Sequence, residues 1–305
     1  MIRSLLDTMW VAVYELGEAV RTRLFQLVIL AYLGGIGFSV WLYAKILASA
    51  EAQLAETLGV PATTKPGAML PQLLQNGDIQ QWLSPFVGGD DAAHALLSQP
   101  VLGLWVGIFS MGLLPMVLVF TASGTVSAEV RSRSIRFLLV RTGRLEIAFG
   151  KLFGQLALGV TAAALGIVLA WGMGLFMVSG NPPLALFLTL CVRTAWSVAF
   201  SLPFLGMAVG ASLLIGNPNG ARVLSALTFF FMPMAAAILH ELVRRHGADG
   251  VGRLCDFVAL AIPTEYWADF WSTDPGVLAA ALGRSALLAT VFFAAGFARF
   301  QRRDL

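Results

Sequence analysis

Apolar residues dominate six stretches of the chain, at 24–47, 100–123, 152–178, 184–215, 223–239 and 277–297. Each is close to or longer than the ~20 residues that a helix needs to cross ~30 Å of hydrocarbon. The pattern predicts six spanning helices. Pro115, Pro203 and Pro233 fall inside them, which membrane helices tolerate because neighbouring groups re-satisfy the freed carbonyls. A β-barrel would show short alternating segments of about ten residues, and none is seen. Residues 1–23 have a different rhythm. Leu5, Leu6, Met9, Trp10, Val13, Leu16 and Val20 recur every three or four positions, with Arg3, Asp7, Glu15, Glu18 and Arg21 mostly on the other side. That spacing predicts an amphipathic helix lying in the membrane interface, or against a partner domain, with Trp10 at headgroup level.

Composition agrees with the pattern. The 305 residues are 58% hydrophobic and 12% charged, with a mean hydropathy of +0.79. A soluble domain of this length needs more polar surface than that. A pI near 9.1 would suit a nucleic-acid partner in a soluble chain, but here the cations follow the positive-inside rule, and no nucleic acid is expected. Acidic residues break up the N-terminus before a signal-peptide core can form. Cys191 and Cys255 stand alone, without a disulfide framework or a CxxC pair.

The loops orient the chain. With six spans both termini share a side, and that side holds Arg3, Arg21, Arg23, a cluster from Arg131 to Lys151, Arg222, Arg299, Arg302 and Arg303. The opposite side has only Lys45, Lys65, Arg244, Arg245 and Arg253. The bias places both termini and the 124–151 loop in the cytoplasm. Outside lie two segments, 48–99 and 240–276. In the first, residues 48–58 extend the first span as helix, after which Pro61, Pro66, Pro71 and Asn76-Gly77 break the chain repeatedly. It is too small for a core of its own, so it is expected to pack on its own spans or on a second copy. Residues 253–276 are rich in aromatics and split by Pro263, and read as two short helices lying in or dipping into the outer interface.

The basic loop carries the strongest functional signal. Residues 126–140 are expected to form one helix in which Val130, Ile135, Phe137 and Leu138 alternate with Arg131, Arg133 and Arg136, broken at Gly143. Such a cationic hairpin at the membrane face binds anionic lipid or docks into an acidic groove of a partner. Glu129, Ser134-Ile135-Arg136-Phe137-Leu138-Leu139, Arg144 and Gly150-Lys151 resemble the cytoplasmic loop of ABC type-2 exporter permeases. The N-terminal YELGEAVRTRLF (14–25) resembles that family's opening, and the six-span layout also matches. The chain departs in one place: Arg141-Thr142-Gly143-Arg144 stands where the family often has a proline turn.

The resemblance implies an all-α polytopic membrane protein with six transmembrane helices, an N-terminal amphipathic interface helix, and short re-entrant or interfacial helices on the outer side before the last span. It implies location in the inner membrane, a separate ABC ATP-binding subunit that carries the ATP and Mg, and a second permease copy. An outer-side accessory protein would be a further partner, with membrane lipid around the whole. Glu129, Arg131, Arg133, Arg136, Arg141, Arg144, Glu146 and Lys151 would form the ATPase-subunit interface, joined by Asn217 and Asn219 of the second cytoplasmic turn. The chain has no G-x-x-x-x-G-K-[ST] phosphate loop of its own, so hydrolysis falls to the partner.

Other features weigh less. His240-Glu241-Leu242-Val243-Arg244-Arg245-His246 lacks the second histidine at the fourth position that a zinc-protease helix needs; it reads as a polar helix end, and no metal is expected. Arg193 and Arg284 lie in the outer halves of the fourth and sixth spans, where they pair with Asp256, Glu265 or Asp269, or line a path for an anionic or amphipathic substrate. Gly103-x-x-x-Gly107 and Gly206-x-x-x-Gly210 allow close helix contact and are candidates for a two-fold interface. A secondary transporter would need carboxylates inside the spans, and none lies within the six. An intramembrane enzyme would need a nucleophile–base pair or metal ligands at depth. A non-transporting scaffold is the remaining alternative.

Overall fold

The computed structural model describes residues 2–59, 65–75, 84, 90–247 and 249–303. Among these the regular elements are all helical. They are α1 (Ile2–Arg21), α2 (Arg23–Leu58), α3 (Leu70–Gln75), α4 (Asp90–Leu97), α5 (Val101–Ala122), α6 (Thr125–Ser132), α7 (Ile135–Leu139), α8 (Arg144–Met177), α9 (Pro183–Leu214), α10 (Pro218–His246), α11 (Gly250–Ala259) and α12 (Pro275–Gln301). Two short 3₁₀ turns, Pro263–Tyr266 and Ala268–Trp271, connect α11 to α12. Six helices are long and apolar enough to cross a membrane: α2, α5 running on into α6, α8, α9, α10 and α12. The protein is an all-α polytopic membrane protein, as its apolar runs predict.

Local chemistry sets the helix ends. Thr22 Oγ1 accepts the N–H of Phe25 at 3.4 Å where α1 turns into α2. Asn217 and Asp274 accept the N–H two residues on, at 3.1 and 2.7 Å, each followed by a proline in the first turn of α10 or α12. A polar cap with proline just inside satisfies and spares the orphan donors of a helix start.

α9 is the centre of the bundle. In its most apolar stretch 78% of residues are buried, against 17% for α10 and for α12, which leaves those two at the rim. Small residues bring the packing close. A Cβ on Gly103 would stand 2.6 Å from Thr189 Cγ2, and one on Gly107 would stand 2.9 Å from Arg193 Cβ, so α5 lies tightly on α9. On the other side Gly206 and Gly210 face the backbone of Ala289 and Phe292 in α12. Both glycine pairs are therefore used inside the chain, and the two-fold interface expected of them is not where they lie. The spacing brings helices together but cannot say whose helix comes.

The described residues of 48–99 pack on the chain's own spans. α2 continues as helix to Leu58, and Glu51 in this extension is buried. Its carboxylate accepts the N–H of Gly67 at 2.9 and 3.0 Å and that of Met69 at 2.8 Å. Leu70 and Leu73 then pack on the core around Tyr43, Leu47 and Val178, while Ala93 and Leu96 join Phe270 and Trp271. The breaks expected at Pro61 and at Asn76-Gly77 lie outside the described residues. The aromatics of 253–276 divide between the two expected placements. Phe257 is exposed, but Phe270 and Trp271 are fully buried, and Phe270 and Trp267 set their rings edge-on to Phe200 at 5.8 and 5.5 Å. The 3₁₀ turns pack into one end of the bundle.

Candidate functional site

The 124–151 loop is built on a rigid frame. Ser212 Oγ, at the end of α9, accepts the N–H groups of Val126 and Ser127 at 3.0 and 3.1 Å and so holds the start of α6. Val126 and Ile135 are buried beside Leu213 and Phe300. The single helix expected over 126–140 is two. Arg133 adopts a left-handed conformation (φ 60°) and ends α6, a backbone that side chains other than glycine seldom take. The chain then restarts as α7.

The break changes which residues face out. Phe137 is 79% and Val140 86% exposed, beside the exposed Arg131, Arg133, Arg136 and Arg141. Alternation along one continuous helix puts Phe137 inward; the restart at Arg133 resets the phase and turns it out. The result is a knob with an aromatic and an aliphatic tip among four arginines. Aromatic and arginine side chains are the types enriched at protein interfaces.

Four of the other residues expected at the interface, Glu129, Arg144, Glu146 and Lys151, serve the frame instead. Lys151 is 2% exposed, and its ammonium pairs with Glu15 and, at 2.6 Å, with Glu129. Gln155 donates to the same Glu15 at 2.9 Å. This corrects the placement of Glu129 and Lys151 on a docking face, and of Glu15 on the wet side of the N-terminal helix. Burial explains the reversal: a buried carboxylate persists where an ammonium compensates it. Gly150 makes the meeting possible, since a Cβ there would crowd Val11 and stand 3.0 Å from Thr8 O. The Gly-Lys pair of the loop motif thus has two jobs, one to admit α1 and one to hold it. Arg144 donates to the carbonyls of Phe300 and Gln301 at 2.9 and 2.5 Å and ties the loop to the end of α12. Glu146 accepts Ser4 Oγ at 2.8 Å. Asn217 and Asn219 are exposed in the α9–α10 turn.

Because α1 docks through Ser4, Val11 and Glu15, its apolar stripe stays uncovered. Leu5, Leu6, Met9, Trp10 and Val13 are all more than half exposed, as an interface helix requires. The carboxylates of Glu15, Glu18 and Glu129 lie within 4.8 Å of one another, but the Lys151 ammonium already occupies the position a bound cation would take between two of them.

At the opposite end the two arginines separate. Arg284 pairs with Asp269 at 3.1 Å and lies over the Tyr266 ring. Burial pushes the Tyr266 phenol above its ordinary range, with the Arg284 charge opposing. Arg193 is buried, donates to Gln99 at 2.9 Å and stacks on Trp271, 5.3 Å from the ring centre. Arg193 and Arg284 thus lie over different aromatics of the same connection, Trp271 and Tyr266. Arg284→Gln is expected to change stability by no more than about 1 kcal/mol, because an exposed pair is screened by water; thermal unfolding in detergent checks this. His240 pairs with Glu265 at 2.7 Å, and Glu241 with Arg244 and Arg245, both at 2.7 Å.

The model of the ABC-2 family transporter protein matches residues 9–305. The chain belongs to the ABC-2 transporter family. No curated protein matches it. Permeases of this family work with an ATP-binding subunit and are not themselves ATPases, in keeping with the missing phosphate loop. In this ABC-2 transporter protein the fragments that carry the family resemblance, Glu15 in the opening segment, Glu129 in the loop and Lys151 before the third span, meet in one buried ion-paired cluster.

Proposed function

We propose that the chain is the transmembrane permease subunit of an ATP-driven type-2 exporter. It sits in the inner membrane with both termini in the cytoplasm, as a homodimer joined to two ATP-binding subunits that hold ATP and Mg. The coupling element is α7 with its flanks. The observation that carries this reading is the exposed Phe137–Val140 knob ringed by Arg131, Arg133, Arg136 and Arg141. It stands on a frame tied to α9 by Ser212, to α12 by Arg144 and to α1 by Lys151. A rigid element clamped on one side by a partner and on the other by three helices passes on a rigid-body shift. Arg193, buried near the far end, is the candidate for contact with a leaving anionic or amphipathic substrate.

The test is co-purification of the ATP-binding subunit from native membranes in mild detergent. Arg136→Glu and Arg141→Glu are exposed and are expected to release the partner while the permease keeps its unfolding midpoint. Phe137→Ala is expected to weaken it as well, at an interface anchor worth roughly 2 kcal/mol. If the partner stays bound through both charge reversals, the arginines serve as lipid anchors and the knob is not the docking surface.

A further inference from the structure

A cavity of about 190 Å³ lies at the Lys151 cluster, between α1, α2, α5, α6, α8 and α10. We propose that it binds a phosphoethanolamine group, carried on a phospholipid of the phosphatidylethanolamine type. Its wall holds charges of both signs, Glu15, Glu18 and Glu129 with Lys151 and Arg222. It also holds unmet hydrogen-bonding atoms of both kinds. Glu129 Oε2 and Gln155 Oε1 are buried acceptors without a partner, and Arg222 Nε is a buried donor without one. Native proteins rarely leave such atoms unmet, and the cavity is far larger than one water needs.

The two kinds of unmet atom select the ligand. A metal ion would serve the carboxylates alone and a free anion the guanidinium alone. Lys151 pairs with Glu15 and with Glu129 Oε1, so a ligand's primary ammonium, with its three N–H donors, is left Glu18, Glu129 Oε2 and Gln155 Oε1, and the phosphate next to it accepts from Arg222 as a charge-assisted bond. Arg222 reaches this position by lying over Gly124, where a Cβ would stand 3.0 Å from both Nε and Nη2. The lipid source follows from depth. Leu24 and Phe25, the first apolar residues of a spanning helix, line the same cavity, at the level where the amphipathic α1 meets the first span. A head group held there keeps its chains beside hydrocarbon and braces α1 against α6.

Binding is measured on the purified, delipidated permease by native mass spectrometry, titrating phosphatidylethanolamine, phosphatidylcholine, phosphatidylglycerol and soluble phosphoethanolamine in turn. Phosphatidylethanolamine is expected to bind at least tenfold more tightly than phosphatidylcholine, which keeps both charges but has no N–H to donate. Arg222→Gln is expected to remove most of that affinity, and Glu18→Gln to narrow the preference between the two lipids. Equal binding of the two lipids by the unmodified protein overturns the proposal, as does stronger binding of phosphatidylglycerol. Soluble phosphoethanolamine binding as tightly as the lipid overturns the lipid source. The readout involves neither transport nor the partner ATPase, so its failure is separate from a failure of the exporter reading.

Discussion

Lys151→Met is expected to cost on the order of 3–5 kcal/mol, the range for removing one partner of a buried ion pair. The substitution keeps most of the side-chain volume but leaves Glu15 and Glu129 facing each other without a cation. Both side chains are largely enclosed, at 7% and 14% exposure, so water offers little relief. The loss should appear as a lower unfolding midpoint in detergent and as faster proteolysis of α1, which the cluster holds against α8. Neutralising the stranded acids separates charge from packing: Lys151→Met with Glu15→Gln and Glu129→Gln is expected to recover most of the stability. A Lys151→Met protein within about 1 kcal/mol of the original would mean that the cluster is solvated and bears no weight. Coupling should suffer too, since the frame under the α7 knob loses its tie to the N-terminal helix.

Gly296→Val is expected to be the most damaging single change among the spans. A Cβ at Gly296 would stand 2.6 Å from Gly210 Cα and 2.7 Å from its carbonyl carbon, and would meet the carbonyl oxygen as well. Overpacking a full core costs about 1–3 kcal/mol when side chains can yield. Here the obstacle is backbone, so α12 must move off α9. That movement carries Phe300 and the carbonyls that hold Arg144, so partner binding should fall along with stability. Gly283→Ala is the control: it lies in the same helix, its Cβ would meet nothing within 4 Å, and alanine favours helix over glycine by about 1 kcal/mol. Unfolding midpoints and monodispersity on size exclusion compare the two. Equal midpoints for both variants would show that α9 and α12 are not packed as closely as described.

Much of the architecture was legible in the chain because hydrophobic length is a local property. A stretch such as 277–297 needs no partner to show that it can span a bilayer. The basic loop was legible for the same reason, as a run of like charges between two apolar runs. The orientation of its side chains was not. Arg133 takes a left-handed backbone that its identity does not require, and this one residue turns Phe137 out and divides the expected helix.

The sequence by itself determined six spans, an amphipathic first helix, a cationic loop between the second and third spans, and the absence of a phosphate loop. Only the tertiary structure decided which charges serve the surface and which the frame. Glu15, Glu129 and Lys151 are scattered over 137 positions of the chain, and their charges look the same on paper as those of Arg136 or Arg141. Burial separates them, because an ammonium and two carboxylates brought out of water must find each other, while a guanidinium left in water need not. The glycine pairs follow the same logic. Spacing shows that a helix can be approached closely, and only the packed chain shows that Gly210 is approached by Gly296.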